Sequence, residues 1–331
     1  MSAAHGSYYL PNPSPWPLIM TMGLFTLALG GALTVNHLGT GPWLMLVGAA
    51  VIIFIMTRWF GQVIGESESG AYNAQVDGSF RMGMAWFIFS EVMFFAAFFG
   101  ALFYVRQLSV PRIGADTLLW PGYDPTWPTS GPKGAAFTAM APWGIPAWNT
   151  LILLTSGLTV TWAHWGLLKG NRGQLIVGLL FTVLLGMTFI GLQAFEYVHA
   201  YTELGLTLKA GVYGATFFML TGFHGFHVTM GTIMLMVILG RSIRGHFRPE
   251  HHFAFEAVAW YWHFVDVVWL GLFIFGQPGA LVASRSPCDE LLTHRLSLIL
   301  TLSARQPIGC WRVIRSYGLS IHRAGNKIRW M

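Results

Sequence analysis

Charge is what this sequence has least of. Asp, Glu, Lys and Arg make up 10% of the 331 residues, against roughly 25% in an ordinary soluble domain, which excludes a water-solvated globule of the usual kind. Cysteine is nearly absent as well. The two present, Cys288 and Cys310, both lie beyond residue 277, so neither a disulfide framework nor a Cys-x-x-Cys motif organises the chain. There is no glycine-rich phosphate loop and no Ser/His/Asp set in a soluble domain. The body also lacks a basic stripe. Residues 1–277 hold eleven Lys/Arg and eleven Asp/Glu, and residues 278–331, with eight against two, supply the whole net charge of +6. Without such a stripe the body is unsuited to phosphate backbones, and no nucleic-acid partner is expected.

What is abundant is apolar and aromatic. Hydrophobic residues reach 54%, with 39 Gly, 15 Trp and 25 Phe, a composition suited to close-packed helices in lipid with rings at their ends. A span needs about 20 mostly apolar residues. Seven stretches qualify: Leu18–Val35, Trp43–Phe60, Met82–Val105, Ile145–Leu168, Leu175–Val198, Val212–Leu239 and Phe255–Phe275. The expected fold is an all-α polytopic membrane protein with seven transmembrane helices. No positively charged segment precedes the first run, so it reads as a span and not as a signal peptide. With the N-terminus cytoplasmic, the inside loops carry Arg58, Arg81, Lys169, Arg172, Arg241, Arg244 and Arg248, and the outside loops Arg106, Arg112, Lys133 and Lys209. Seven cations against four favour that orientation. Residues 106–144 read as an ordered, irregular external loop. Residues 278–331 contain no Phe and no run long enough to span, and read as an appended, disordered extension.

Ionisable groups at bilayer depth are costly, so each raises a functional hypothesis. Glu91 lies about 15 Å into the third span, and its helical neighbours Phe87, Phe94, Phe95 and Phe98 offer it no partner. It is either a protonated structural carboxyl bonded across the bundle or a group that handles protons. His224 and His227 share one face of the sixth span, where packing by hydrogen bonds competes with metal or haem ligation. Glu196 in the fifth span and Glu256, His263 and Asp266 in the seventh can serve a proton relay or hold helices together, the latter at about 1 kcal/mol each. No metal-ligand set is assigned. A proton-coupled transporter would use Glu91, Glu196 and Asp266 as its relay, but the repeats and broken helices of many transporters are not seen.

These residues resemble one family, subunit III of haem-copper cytochrome c oxidase. The likeness runs over about residues 8–275. It includes Pro13-Ser14-Pro15-Trp16-Pro17, Arg81-Met82-Gly83-Met84 with Ser90-Glu91-Val92, Gln193 with Glu196-Tyr197, Thr221 through Val228, and the run from His252 to Trp269. The resemblance implies two bundles, helices 1–2 (residues 1–60) and helices 3–7 (residues 81–277), around a lipid-filled V-shaped cleft. It also implies a non-redox accessory subunit lying directly against subunit I, which holds the haems and copper, in a proton-pumping complex with subunit II that takes electrons from cytochrome c. The chain itself would carry no cofactor except bound phospholipid. By position, Glu91 resembles the family's carbodiimide-reactive carboxyl. Arg81, Trp59, Arg241, His246 and His251 resemble its lipid-headgroup contacts, a role suited to cations facing phosphate. The long outer loop resembles bacterial members, so a bacterial plasma membrane is expected.

Overall fold

The computed structural model describes residue 9, residues 13–276 and the backbone of two short strands, Arg323–Ala324 and Lys327–Ile328, which pair antiparallel. The expected disorder of residues 278–331 concerns a segment outside the described residues apart from those two strands. Eight α-helices follow in order: α1 Trp16–Val35, α2 Gly41–Glu68, α3 Ala74–Tyr104, α4 Val110–Ala115, α5 Ile145–Leu168, α6 Arg172–Thr202, α7 Gly211–Arg244 and α8 Phe253–Gly271. A π-helical turn, Val105–Ser109, joins α3 to α4, and a second, Leu272–Gly276, closes α8. Counting α3 through α4 as one continuous span, seven helices among the described residues are long and apolar enough to cross a membrane. That is the expected fold class.

Helix is the form in which a single segment satisfies its own backbone in hydrocarbon. Starts are marked locally: Asn73 accepts from the Val76 amide at 3.0 Å and Asn171 from the Gln174 amide at 3.1 Å, while α1, α2 and α5 carry proline in the first turn, where an amide proton is dispensable. Several helices outrun the apolar stretches that announce them. α2 continues from Phe60 to Glu68, and α3 begins eight residues before Met82. These polar turns project beyond the hydrocarbon, where hydropathy stops marking them although the helix persists. In the segment read as an external loop from Arg106, the helical backbone continues to Ala115 before irregular chain begins.

Packing divides the helices. α1 and α2 lie against each other, and α8 packs against α3, α5 and α7 while α6 closes against α5 and α7. The hairpin is tight because its contact is made of glycine: a Cβ at Gly48 would stand 2.8 Å from Leu27 Cα, and one at Gly30 would stand 2.9 Å from the Gly41 oxygen. Small residues let backbones approach in this way in membranes. In α1, α2 and α3 only 11% of the most apolar window is buried, against 39% in α5, α6 and α7 and 56% in α8. The first three spans therefore leave most of their surface to lipid or to another chain. The start of α1, the end of α2 and the starts of α3 and α8 share one end of the molecule, called here the near end: Trp16 Nε1 donates to Gln62 Oε1, and Phe80 stacks on Phe253.

Candidate functional site

At the near end, α3 and α8 are joined by charge. Arg81 sits one turn after Asp77, donates to its carboxylate at 2.7 Å and pairs through its other arm with Glu256. Glu256 also faces His252, one turn earlier on the chain, at 2.9 Å and His164 of α5 at 3.9 Å. Arg81 is thus engaged by two carboxylates of its own chain. Across the same end, His246 pairs with Glu68 and so links the hairpin to the turn after α7. Beyond the spans, burial foremost and the neighbouring Glu66 carboxylate push the Tyr72 phenol well above its usual range.

Arg241 differs from Arg81. It is buried at 8% exposure, its guanidinium lies 4.7 Å over the Phe247 ring, and among the described residues no carboxylate pairs directly with it. Trp59 is half-buried and His251 is exposed, the latter tied to Arg248 through the backbone. The structure therefore separates the five residues. Arg241 and His246 flank the junction of α7 with α2, and Arg81 belongs to the α3–α8 tie.

Mid-span, Glu91 has a partner on another helix. Its Oε2 is 3.0 Å from His227 Nε2, while His227 Nδ1 is 2.6 Å from the Phe223 carbonyl oxygen. With Nδ1–H donating to Phe223, the contact between Nε2 and the carboxyl holds a single proton, shared either as neutral acid with imidazole or as carboxylate with imidazolium. Phe95 meets the imidazole edge-on at 5.0 Å, and Tyr261 stacks at 6.3 Å. The Glu91 side chain remains 23% exposed on a helix whose neighbours Phe87 and Val92 face outward, so an apolar reagent can reach a carboxyl that His227 holds in place. A hydrophobic carbodiimide should therefore label Glu91 ahead of every other carboxyl in the chain, and Glu91→Gln should abolish that adduct without loss of the folded chain. Peptide mapping that finds label spread evenly over Glu91, Glu196 and Asp266 would contradict this.

The other polar residues do not join Glu91. His224 Nε2 lies 3.2 Å from the Val265 carbonyl, with the ring against Phe189 and Trp269. His227 is engaged by protein at both ring nitrogens, whereas His224 Nδ1 has no hydrogen-bond partner among the described residues. His263 bonds Thr161 at 3.2 Å, and its Nδ1 lies 3.6 Å from Asp266. Glu196 is 1% exposed, and neither of its oxygens has a partner among the described residues; the same is true of the side-chain amides of Asn149 and Gln193. A feature that sequence reasoning missed is an apolar groove of about 500 Å³ between α3 and α8, lined by Phe95, Phe99, Phe103, Phe264 and Phe275 with Arg106 at its mouth. Its lining is spread over two helices far apart in the chain, so no local pattern announces it.

The sequence profile described as Cytochrome c oxidase subunit III matches residues 5–276. The chain belongs to that family. Among its relatives, Cytochrome c oxidase subunit 3 of Marchantia polymorpha is 44% identical over 268 residues, covering 81% of this chain and 94% of the relative. The proteins of the same name from Arabidopsis thaliana and Papio hamadryas are each 42% identical over 269 residues, covering 81% of this chain and 94% and 95% of theirs. As a member of the subunit III family, the chain is a multi-pass membrane subunit of cytochrome c oxidase and works within a multi-subunit respiratory complex. The family match ends at residue 276, where the basic tail begins.

Proposed function

We propose that this subunit is a non-redox, phospholipid-binding companion of subunit I in a proton-pumping oxidase that also contains subunit II and accepts electrons from cytochrome c. In this reading the haems and copper reside in the partners. The subunit braces the catalytic one and supports proton uptake, with the Glu91–His227 pair as its proton-related carboxyl. One observation carries it: the α1–α2 hairpin packs on itself and stands beside α3–α8, leaving apolar flanks for fatty chains where Arg241 offers a cation that no carboxylate among the described residues pairs with directly. Arg suits a phosphate because its planar fork matches the oxygens. His246 and, more peripherally, Trp59 and His251 complete the headgroup environment. Arg81 serves as the tie between α3 and α8 and touches lipid secondarily. His224, Glu196, His263 and Asp266 form the structural polar network. The excess of cations at the near end supports a cytoplasmic N-terminus, and the long outer loop supports a bacterial plasma membrane. Residues 1–60 and 81–277 act as the two family bundles, and residues 278–331 as an extension with no share in the family's role.

The test is purification through a tag on this chain. A haem-copper subunit and tightly held phospholipid should accompany it through detergent exchange, and Arg241→Ala should remove about one phospholipid per complex while the haem-copper subunit stays bound. Recovery without any haem-copper partner would overturn the assignment. Unchanged lipid in Arg241→Ala would overturn the headgroup site.

A further inference from the structure

The near-end cluster holds a feature that the tie between α3 and α8 does not use. One ring nitrogen each of His164 and His252 and a carboxylate oxygen of Glu256 all lie within 4.8 Å of one another. His252 is buried at 8% exposure, and neither of its ring nitrogens finds a hydrogen bond; its Nε2 is 2.9 Å from Glu256 Oε1 without hydrogen-bond alignment. His164 Nε2, on another helix, is likewise buried without a hydrogen-bond partner. Three ligand atoms from two helices therefore converge with no hydrogen bond between them. The imidazole rings are inclined at 59° with centroids 5.6 Å apart, which is not a stacked pair.

Charge favours a cation at this point. With neutral imidazoles, Asp77, Glu256 and Arg81 sum to one negative charge. Arg81 binds Glu256 through Oε2 and leaves Oε1 to the histidines, an arrangement in which a guanidinium orients a ligating carboxylate from behind. A tetrahedral ion at about 2.1 Å from each ligand needs edges of about 3.4 Å, and the observed 2.9 and 3.9 Å bracket that value. Two imidazoles and one carboxylate suit zinc and its neighbours over calcium or magnesium, and leave a fourth position for water.

We propose that His164, His252 and Glu256 form a binding site for a divalent transition-metal ion at the near end of the membrane domain, bridging α5 and α8. Zinc in that position would not be a redox centre. It would lock the start of α8 to the end of α5, with Arg81 carrying the link on to α3.

The experiment uses the oxidase complex purified through this chain, stripped with chelator, equilibrated with micromolar zinc and desalted. The intact complex should retain one zinc ion more than His252→Gln or His164→Gln complexes. Equal zinc in all three overturns the proposal. A second variant guards against loss of assembly: His164→Cys preserves ligation and should add a sulfur shell at about 2.3 Å to the zinc X-ray absorption spectrum. Zinc bound to that variant with no sulfur shell, or no zinc bound to the intact complex, also overturns it.

Discussion

Trp262→Ala is expected to cost this subunit about 3–5 kcal/mol, the usual range for emptying a large aromatic site in a packed core. Trp262 is fully buried at 0% exposure in the middle of α8, the helix that touches α3, α5 and α7. Its indole lies against Gly186 of α6 and Gly231 of α7. The ring thus fills a space that four helices share. The indole N–H donates to Ser156 Oγ at 2.9 Å, and that hydroxyl donates onward to the Leu153 carbonyl at 2.6 Å. Trp262→Phe should keep most of the volume and lose chiefly the hydrogen bond, a cost of about 0.5–1.5 kcal/mol. The measurement is retention of the subunit on its complex during a temperature ramp in detergent. The two variants should fall in the order Phe above Ala, and alanine behaving like tryptophan would show that the ring is not the keystone described.

The second large effect concerns the hairpin. Gly48→Leu drives a branched side chain into the backbone of α1 at Leu27. Overpacking of this kind costs about 1–3 kcal/mol, and here backbone rather than a flexible side chain receives the clash. The helices must separate. Cysteines placed at Thr34 and Met45, whose side chains touch at 3.5 Å, should be joined readily by a short thiol crosslinker in the parent, with a yield at least several-fold lower in Gly48→Leu. The bundle of α3–α8 should keep its own resistance to heat. Equal crosslinking in both backgrounds would mean that the glycine contact does not set the hairpin geometry.

Much of the fold was legible before any coordinates, because a segment in hydrocarbon has few ways to satisfy its backbone and advertises itself by length and apolarity. The ends were not. The last turns of α2 and first turns of α3 are polar helix, and hydropathy falls silent there while hydrogen bonding continues. Site residues divide the same way. Glu91 stood out because a carboxylate among phenylalanines is conspicuous, yet its partner His227 lies 136 residues later, and no spacing rule spans two helices. The pairing of Arg81 with Glu256 is equally long-range. The convergence of His164 on His252 and Glu256 was half visible: His252 and Glu256 are four residues apart, one helical turn, but the third ligand comes from α5. Proximity in space between α5, α6, α7 and α8 is set by packing around Trp262, which a one-dimensional reading does not contain.

The self-contained α1–α2 hairpin has a consequence in time. Its glycine contacts all fall between Gly23 and Ile52, so the pair can close as soon as those residues have entered the bilayer, before the ribosome has made Trp262 or any of the helices that converge on it. Biosynthesis thus delivers the two halves in sequence, and a defect in the later half leaves the earlier one already formed.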